Sequence, residues 1–163
     1  STFWFELPAQ AAPAPSTHAR QTPPPRLATV LEPATVLIVD DSPINRVVAR
    51  QMILKDLPGF QVLEAGSGAE ALAMLDQHSV DLVLMDVIMP EMDGIETTRR
   101  LRARPDAPPV IGLTADITKN VHIACFEAGM AQVLTKPYAR ADLIAAIQHQ
   151  RQAAGAVGSA HAN

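Results

Sequence analysis

The sequence predicts an α/β fold in which a five-stranded parallel sheet carries helices on both faces. Two observations point to it. Short apolar runs alternate with segments whose apolar residues recur at helical spacing, the pattern of repeated β–α units. Four of the runs also end in polar residues. They are Val36-Leu37-Ile38-Val39 before Asp40-Asp41, Leu82-Val83-Leu84-Met85 before Asp86, Val110-Ile111-Gly112-Leu113 before Thr114, and Val133-Leu134-Thr135 before Lys136-Pro137. Unbroken apolar runs suit strands buried on both faces. The carboxyl edge of such a sheet is where ligands bind.

The elements follow in order. The first strand is expected at Thr35–Val39, with Ser42 as N-cap and Pro43 in the first helical turn. The helix that follows carries Ile44, Val47, Val48, Met52 and Ile53 at helical spacing. A second strand is expected at Phe60–Glu64. Gly66-Ser67-Gly68 then leads into a helix to about Gln77, with Ala69, Leu72, Ala73 and Leu75 facing inward. The third strand is expected at Asp81–Met85, a turn at Pro90–Gly94, and a helix on to about Ala103. Pro108-Pro109 precede a fourth strand at Val110–Leu113. A helix from about Thr118 to Ala128 closes at Gly129, a suitable residue just past a helix end. The fifth strand is expected at Gln132–Thr135 and the last helix at about Arg140–Arg151. Right-handed crossovers leave few topologies for five such units. The flavodoxin-like, doubly wound (βα)5 order 2-1-3-4-5 places the first and third strands side by side, and with them Asp40, Asp41 and Asp86.

Outside this dense region the composition changes. Ser1–Pro8 reads as a short aromatic strand. Residues 9–33 are rich in Pro, Ala, Gln and Thr. Pro8, Pro13, Pro15, Pro23, Pro24, Pro25 and Pro33 are half of the chain's 14 prolines, and such a segment is expected to run as an extended linker. The folded domain is expected at 34–152 and a flexible tail at 153–163. A net charge of −4 and a pI near 5.7 give no basic footprint for nucleic acid. No apolar run approaches the roughly 18 residues of a membrane span. The opening residues lack a basic segment followed by a long apolar one, so no signal peptide is expected. Cys125 is the single cysteine, which excludes an internal disulfide and fits a reducing compartment.

Three carboxylates, a hydroxyl and an amine at one sheet edge suit a hard cation and a transferable phosphoryl group. Taken singly, each has an ordinary structural reading. Asp40-Asp41 can end a strand and cap a helix, Asp86 can be a turn residue, and Lys136-Pro137 can be a loop. Their joint placement at four strand ends is what indicates a site.

Val39-Asp40-Asp41, Asp86 followed by Met89-Pro90 and Asp93-Gly94, Thr114-Ala115 and Lys136-Pro137 together resemble a response-regulator receiver domain over about residues 35–150. Asp40-Asp41-Ser42-Pro43-Ile44-Asn45-Arg46 resembles the receivers attached to hybrid histidine kinases. Ser1–Pro8 is similar to the last strand of a histidine-kinase ATP-binding domain. The resemblance implies that Asp86 is the phosphoacceptor and that Asp41, Asp86 and the Ile88 backbone carbonyl bind Mg2+, with Asp40 assisting through water. It implies that Lys136 and Thr114 contact phosphoryl oxygens and that a cis bond at Pro137 aims Lys136 inward. A histidine-kinase phosphodonor domain, a histidine phosphotransfer domain, or both are the implied partners. The implied location is the cytoplasm, with a parent kinase anchored in the inner membrane.

Three positions depart from or refine that pattern. The family commonly has an aromatic residue three positions before the lysine, and here that residue is Val133. Tyr138 is not at the same place. Ile88 and Asp116 occupy the positions that flank the attacking water in the family, and an apolar Ile88 cannot orient water by hydrogen bonding, so slow self-hydrolysis is expected. A receiver of this kind catalyses only its own phosphorylation and dephosphorylation. The alternatives are a docking module that works without phosphate and a flavodoxin-like nucleotide or flavin binder; clustered acids disfavour the latter. The scattered His18, His78, His122, His149 and His161 lack metal-ligand spacing. Cys125 is expected in packing, Gly66-Ser67-Gly68 as an ordinary helix entry, and Arg99, Arg100, Arg102 and Arg104 as a solvated helix face.

Overall fold

A computed structural model describes residues 32–160. The aromatic strand expected at 1–8, nearly all of the linker at 9–33 and residues 161–163 lie outside the described residues. Among these residues five strands and five helices alternate: β1 Thr35–Val39, α1 Pro43–Asp56, β2 Gln61–Ala65, α2 Gly68–Gln77, β3 Leu82–Asp86, α3 Gly94–Arg102, β4 Val110–Thr114, α4 Lys119–Glu127, β5 Gln132–Thr135 and α5 Arg140–Ala160. All neighbouring strands are parallel, in the order β2-β1-β3-β4-β5.

Alternation along each strand sends successive side chains to opposite faces. Val36 and Ile38 of β1, Leu82 and Leu84 of β3, and Ile111 and Leu113 of β4 pack with Ala49 and Ile53 of α1 and Leu143, Ile144 and Ile147 of α5. Leu37 and Val39, Val83 and Met85, and Val110 face the other way, onto Ala71 of α2, Leu101 of α3 and Cys125 of α4. The three central strands are therefore covered twice, which explains their unbroken apolar runs. Each fully buried Leu, Ile or Val side chain contributes about 2 kcal/mol of transfer free energy.

Several boundaries differ from the sequence expectation, each for a local reason. β2 begins at Gln61, one residue late, because the Phe60 amide turns back to the Leu57 carbonyl at 3.0 Å while Gln61 opens the ladder on Ala34. β3 also begins one residue late. Asp81 is used as a clamp: its amide donates to the Thr35 carbonyl at 2.8 Å, its carboxylate accepts the Thr35 amide at 2.8 Å, and Arg151 of α5 reaches it at 3.4 Å. At the other end the ladder runs one residue further, so Asp86 pairs with Leu113 and Thr114 pairs with Thr135. α5 continues to Ala160 where a flexible tail was expected from 153. Ala153, Ala154 and Ala156 have the highest helix propensity and carry the chain through Gly155 and Gly158.

The inward faces of two helices also differ. Ala49 and Ile53 are the buried residues of α1, whereas Ile44, Val47 and Val48 are 74%, 52% and 45% exposed. α1 is thus apolar on two sides and only one meets the sheet. In α2, Gly68 and Ala71 are buried, while Ala69 and Ala73 face solvent. Ser67 caps α2 by accepting the Glu70 amide at 3.1 Å, an ordinary helix entry. Gly129 follows α4 with φ +104°, a conformation that suits glycine.

Candidate functional site

The topology collects the predicted polar residues at the carboxyl edge. Asp40 and Asp41 follow β1, Asp86 and Thr114 are the last residues of β3 and β4, and Lys136 follows β5. One carboxylate oxygen from each of Asp40, Asp41 and Asp86 lies within 4.8 Å of the others. Asp40 and Asp86 are buried and Asp41 is exposed. The Lys136 ammonium sits between the two buried acids, 3.1 Å from Asp40 Oδ2 and 3.2 Å from Asp86 Oδ2. A buried charge needs such partners, since desolvation alone would neutralise it.

The electrostatics are uneven. Burial is the main cause that holds the Asp86 carboxyl above the usual carboxylate range; Lys136 opposes it and the Asp40 charge adds to it. Burial pulls the Lys136 ammonium down, but the Asp40 hydrogen bond and the charges of Asp86 and Asp40 outweigh it and leave Lys136 above its ordinary value. An ion pair would ordinarily lower the acid, so the direction at Asp86 says that burial, with the Asp40 charge added to it, outweighs the Lys136 pairing. A hard divalent cation fits this donor set: three carboxylates converge, and all the donors are oxygen.

Backbone bonds hold each group in place. The Ile88 amide donates to Asp86 Oδ1 at 3.2 Å, while the Ile88 side chain is 62% exposed. Thr114 accepts twice, its hydroxyl oxygen from the Asp116 amide at 3.0 Å and its carbonyl from the Lys136 amide at 2.7 Å. The hydroxyl hydrogen is thereby left for another acceptor. The Asp116 carboxylate accepts the Thr118 amide at 2.8 Å, and that bond lowers its pKa. The Lys136-Pro137 bond is cis.

Val133 pairs with Gly112 across β4 and β5 and packs in the cluster with Val87 and Met130. Tyr138 packs in the other cluster, beside Leu134, so it lies on the opposite side of the sheet and does not substitute for an aromatic at 133. Burial raises the Tyr138 phenol.

Three residues that sequence reasoning gave no role also shape the site. Asn45 donates to both Asp40 oxygens at 3.2 Å each, and Arg46 donates to the Asp40 carbonyl at 2.7 Å. Gly94 packs directly against the Asp86 carbonyl. Asn45 and Arg46 stand in the quoted Asp40–Arg46 stretch, one helical turn beyond the strand end, which was the available signal. Beside them a groove of about 490 Å³ runs between α1 and the segment after β5, lined in part by Asn45, Val48, Met52 and Tyr138. Cys125 is buried in packing. Arg99 and Arg100 pair with Glu96 at the surface of α3, whereas Arg104, expected on the same solvated face, lies beyond the helix end and is half-buried, pairing with Asp76 and donating to the Leu72 carbonyl at 3.2 Å.

Residues 36–148 match the family described as the response regulator receiver domain. Sensor histidine kinase AruS of Pseudomonas aeruginosa is 35% identical over 163 residues, covering 98% of this chain and 15% of AruS. Sensor histidine kinase RcsC of Salmonella typhimurium is 39% identical over 102 residues, 63% of this chain and 10% of RcsC. The chain thus spans between 10% and 15% of the length of these relatives. Among solved structures, the receiver domain of sensor histidine kinase PA1611 from Pseudomonas aeruginosa, with magnesium coordinated in its active-site cleft, is 32% identical. Its TM-score is 0.67, over 74% of this chain and 99% of that one. Chemotaxis protein CheY4 of Vibrio cholerae is 30% identical, with a TM-score of 0.65 over 72% of this chain and 98% of that one. A parallel sheet in the order 2-1-3-4-5, an acidic edge bridged by Lys136 and a family match over most of the chain lead to one conclusion: this chain belongs to the response regulator receiver domain family.

Proposed function

We propose that the chain is the phosphoacceptor of a phosphorelay, taking a phosphoryl group from a phosphohistidine onto Asp86 and passing it to a histidine phosphotransfer domain. The observation that carries this is Lys136, held 3.2 Å from Asp86 and 3.1 Å from Asp40 at the sheet's carboxyl edge. Asp86 Oδ attacks phosphorus, the P–N bond to the donor imidazole breaks, and the imidazole nitrogen keeps that electron pair. A carboxylate is a weak nucleophile, so positioning and charge neutralisation must supply most of the catalysis. Lys136 places a point charge where phosphoryl oxygens arrive. Thr114 has a hydroxyl hydrogen to donate to another. Asp41, Asp86 and the Ile88 carbonyl would hold Mg2+, with Asp40 outside direct contact; the bound ion supplies positive charge for the phosphoryl oxygens.

The proposed partners are a histidine-kinase phosphodonor domain, a histidine phosphotransfer domain, or both. The exposed Ile44, Val47 and Val48 of α1, of which Val48 lines the groove that reaches Lys136, support a protein partner there. The likeness to AruS over 98% of this chain supports a place within a sensor kinase, with 1–8 as the end of its ATP-binding domain and 9–33 as the linker. No helix among the described residues is long and apolar enough to cross a membrane; a cytoplasmic receiver with a membrane-anchored parent accords with that. Intact-protein mass after acetyl phosphate, with and without Mg2+, tests the proposal. One added phosphoryl group that requires Mg2+ and vanishes in Asp86→Asn is expected, and addition that survives Asp86→Asn would refute it.

A second reading, docking that works without phosphate, is favoured by Val133, whose small side chain pairs with Gly112. On that reading Asp86→Asn leaves partner output intact; on the first it abolishes it.

A further inference from the structure

We propose that Asn45 is a positioning residue that keeps Asp40 from binding the pocket cation directly and reserves that task for Asp41 and Asp86. The inference rests on the reading of the acidic pocket as a divalent-cation site.

An ionised carboxylate offers about four lone-pair positions. At Asp40 all are engaged. Oδ1 accepts the Ser42 amide at 2.8 Å and the Asn45 amide group at 3.2 Å. Oδ2 accepts the Lys136 ammonium at 3.1 Å and Asn45 at 3.2 Å. Among the described residues Asp86 accepts from only two donors, Ile88 and Lys136. Asp41 is exposed and accepts from none among the described residues. A direct ligand needs a free lone pair, so the three acids are not equivalent although their oxygens converge.

Arg46 strengthens the arrangement from the other end of the same residue. Its Nη1 holds the Asp40 carbonyl at 2.7 Å, and its Nε is braced on Glu64 of β2 at 3.4 Å. Consecutive residues in the first turns of α1 therefore fix both the carboxylate and the main chain of Asp40. Of these bonds, the Asn45 pair occupies one position on each carboxylate oxygen, and only its loss reopens both. Asn45 itself is exposed, so replacing it disturbs little packing.

The side-chain volume is kept and the donors removed in Asn45→Leu. Freed on both oxygens, Asp40 becomes able to contact the cation, and a third direct carboxylate tightens binding. A residue that merely braced the pocket would act oppositely, because its loss would loosen the site. The test is a backbone-amide NMR titration of the full chain with MgCl2, wild type against Asn45→Leu. Without metal, the Ser42 amide, which donates to Asp40 Oδ1, is expected to shift in the variant. With metal, the Mg2+ Kd is expected to fall about fivefold, the worth of one charge-assisted hydrogen bond no longer competing. An unmoved Ser42 amide, or Mg2+ affinity equal to or weaker than wild type, would overturn the proposal. No Mg2+ response in wild type would instead overturn the cation-site reading, and this inference with it.

Discussion

Gly94 rests its Cα against the main-chain carbonyl of Asp86. A Cβ there would overlap the carbonyl oxygen, and it would come within 2.9 Å of both the carbonyl carbon and Met85 Cγ. The Gly94 amide also donates to the Val87 carbonyl at 2.9 Å. The first residue of α3 and the last residue of β3 are thereby in contact, and the obstacle to a side chain is backbone that cannot turn aside.

The first prediction concerns that contact. Gly94→Ala should lower stability by about 2 kcal/mol, because overpacking against rigid atoms forces the strand end to move. Gly155→Ala is the control: it lies within α5 with nothing within 4 Å of its Cβ position. It should raise stability by about 0.5–1 kcal/mol through helix propensity. Urea unfolding of both variants reads the difference; equal effects would contradict the close approach.

A second prediction follows from the sign of the Asp86 shift. Its carboxyl is raised in the folded chain, chiefly by burial, so the folded state binds the proton more tightly than the unfolded state. Stability contributed by the neutral form is present below the ordinary aspartate value and is lost as pH rises through the raised one. Above the raised value the penalty is complete. Metal-free Asp86→Asn should therefore melt a few degrees above metal-free wild type. Added Mg2+ should raise the wild-type Tm, increasingly with the logarithm of its concentration above Kd, and leave the variant nearly unchanged. Lower Tm in the metal-free variant would mean that the Lys136 pairing outweighs burial.

The third prediction concerns phosphoryl lifetime. Ile88 is exposed and apolar beside Asp86, and the Asp116 carboxylate is already engaged by the Thr118 amide. The Ile88 side chain has no polar atom with which to orient an attacking water. Ile88→Asn should shorten the half-life of the acyl phosphate severalfold, measured by the decay of the phosphorylated mass after donor removal. An unchanged or longer half-life would count against the account.

The fourth concerns Cys125. It is fully buried, and burial, with the Asp93 charge, raises its thiol above the ordinary value. The thiolate is the reactive form, so a thiol reagent should label the native chain far more slowly than the urea-unfolded chain. Fast labelling of the native chain would place Cys125 at the surface.

The parts of this structure that were legible in the sequence share one property. β1, β3 and β4 are buried on both faces, and so they print unbroken apolar runs with polar ends. Helical periodicity was less informative. It marks an apolar stripe but not which stripe meets the sheet, and α1 has two: Ala49 and Ile53 turn inward while Ile44, Val47 and Val48 remain outside. The end of α5 was obscured because small residues serve helices and loose tails alike. At the site, Asp40, Asp86, Thr114 and Lys136 were visible because strand ends place them without further knowledge. Asn45, Arg46 and Gly94 were not. Their contacts depend on how α1 is rotated about its axis and how close α3 approaches β3, which are properties of packing.

The most direct test of the central claim is the identity of the phosphorylated residue. After reaction with acetyl phosphate and Mg2+, borohydride reduces an aspartyl phosphate to homoserine, and peptide mass locates it. The account predicts homoserine at position 86 alone. Homoserine at position 40 or 41, or at no position in a chain that has gained phosphate, would contradict it.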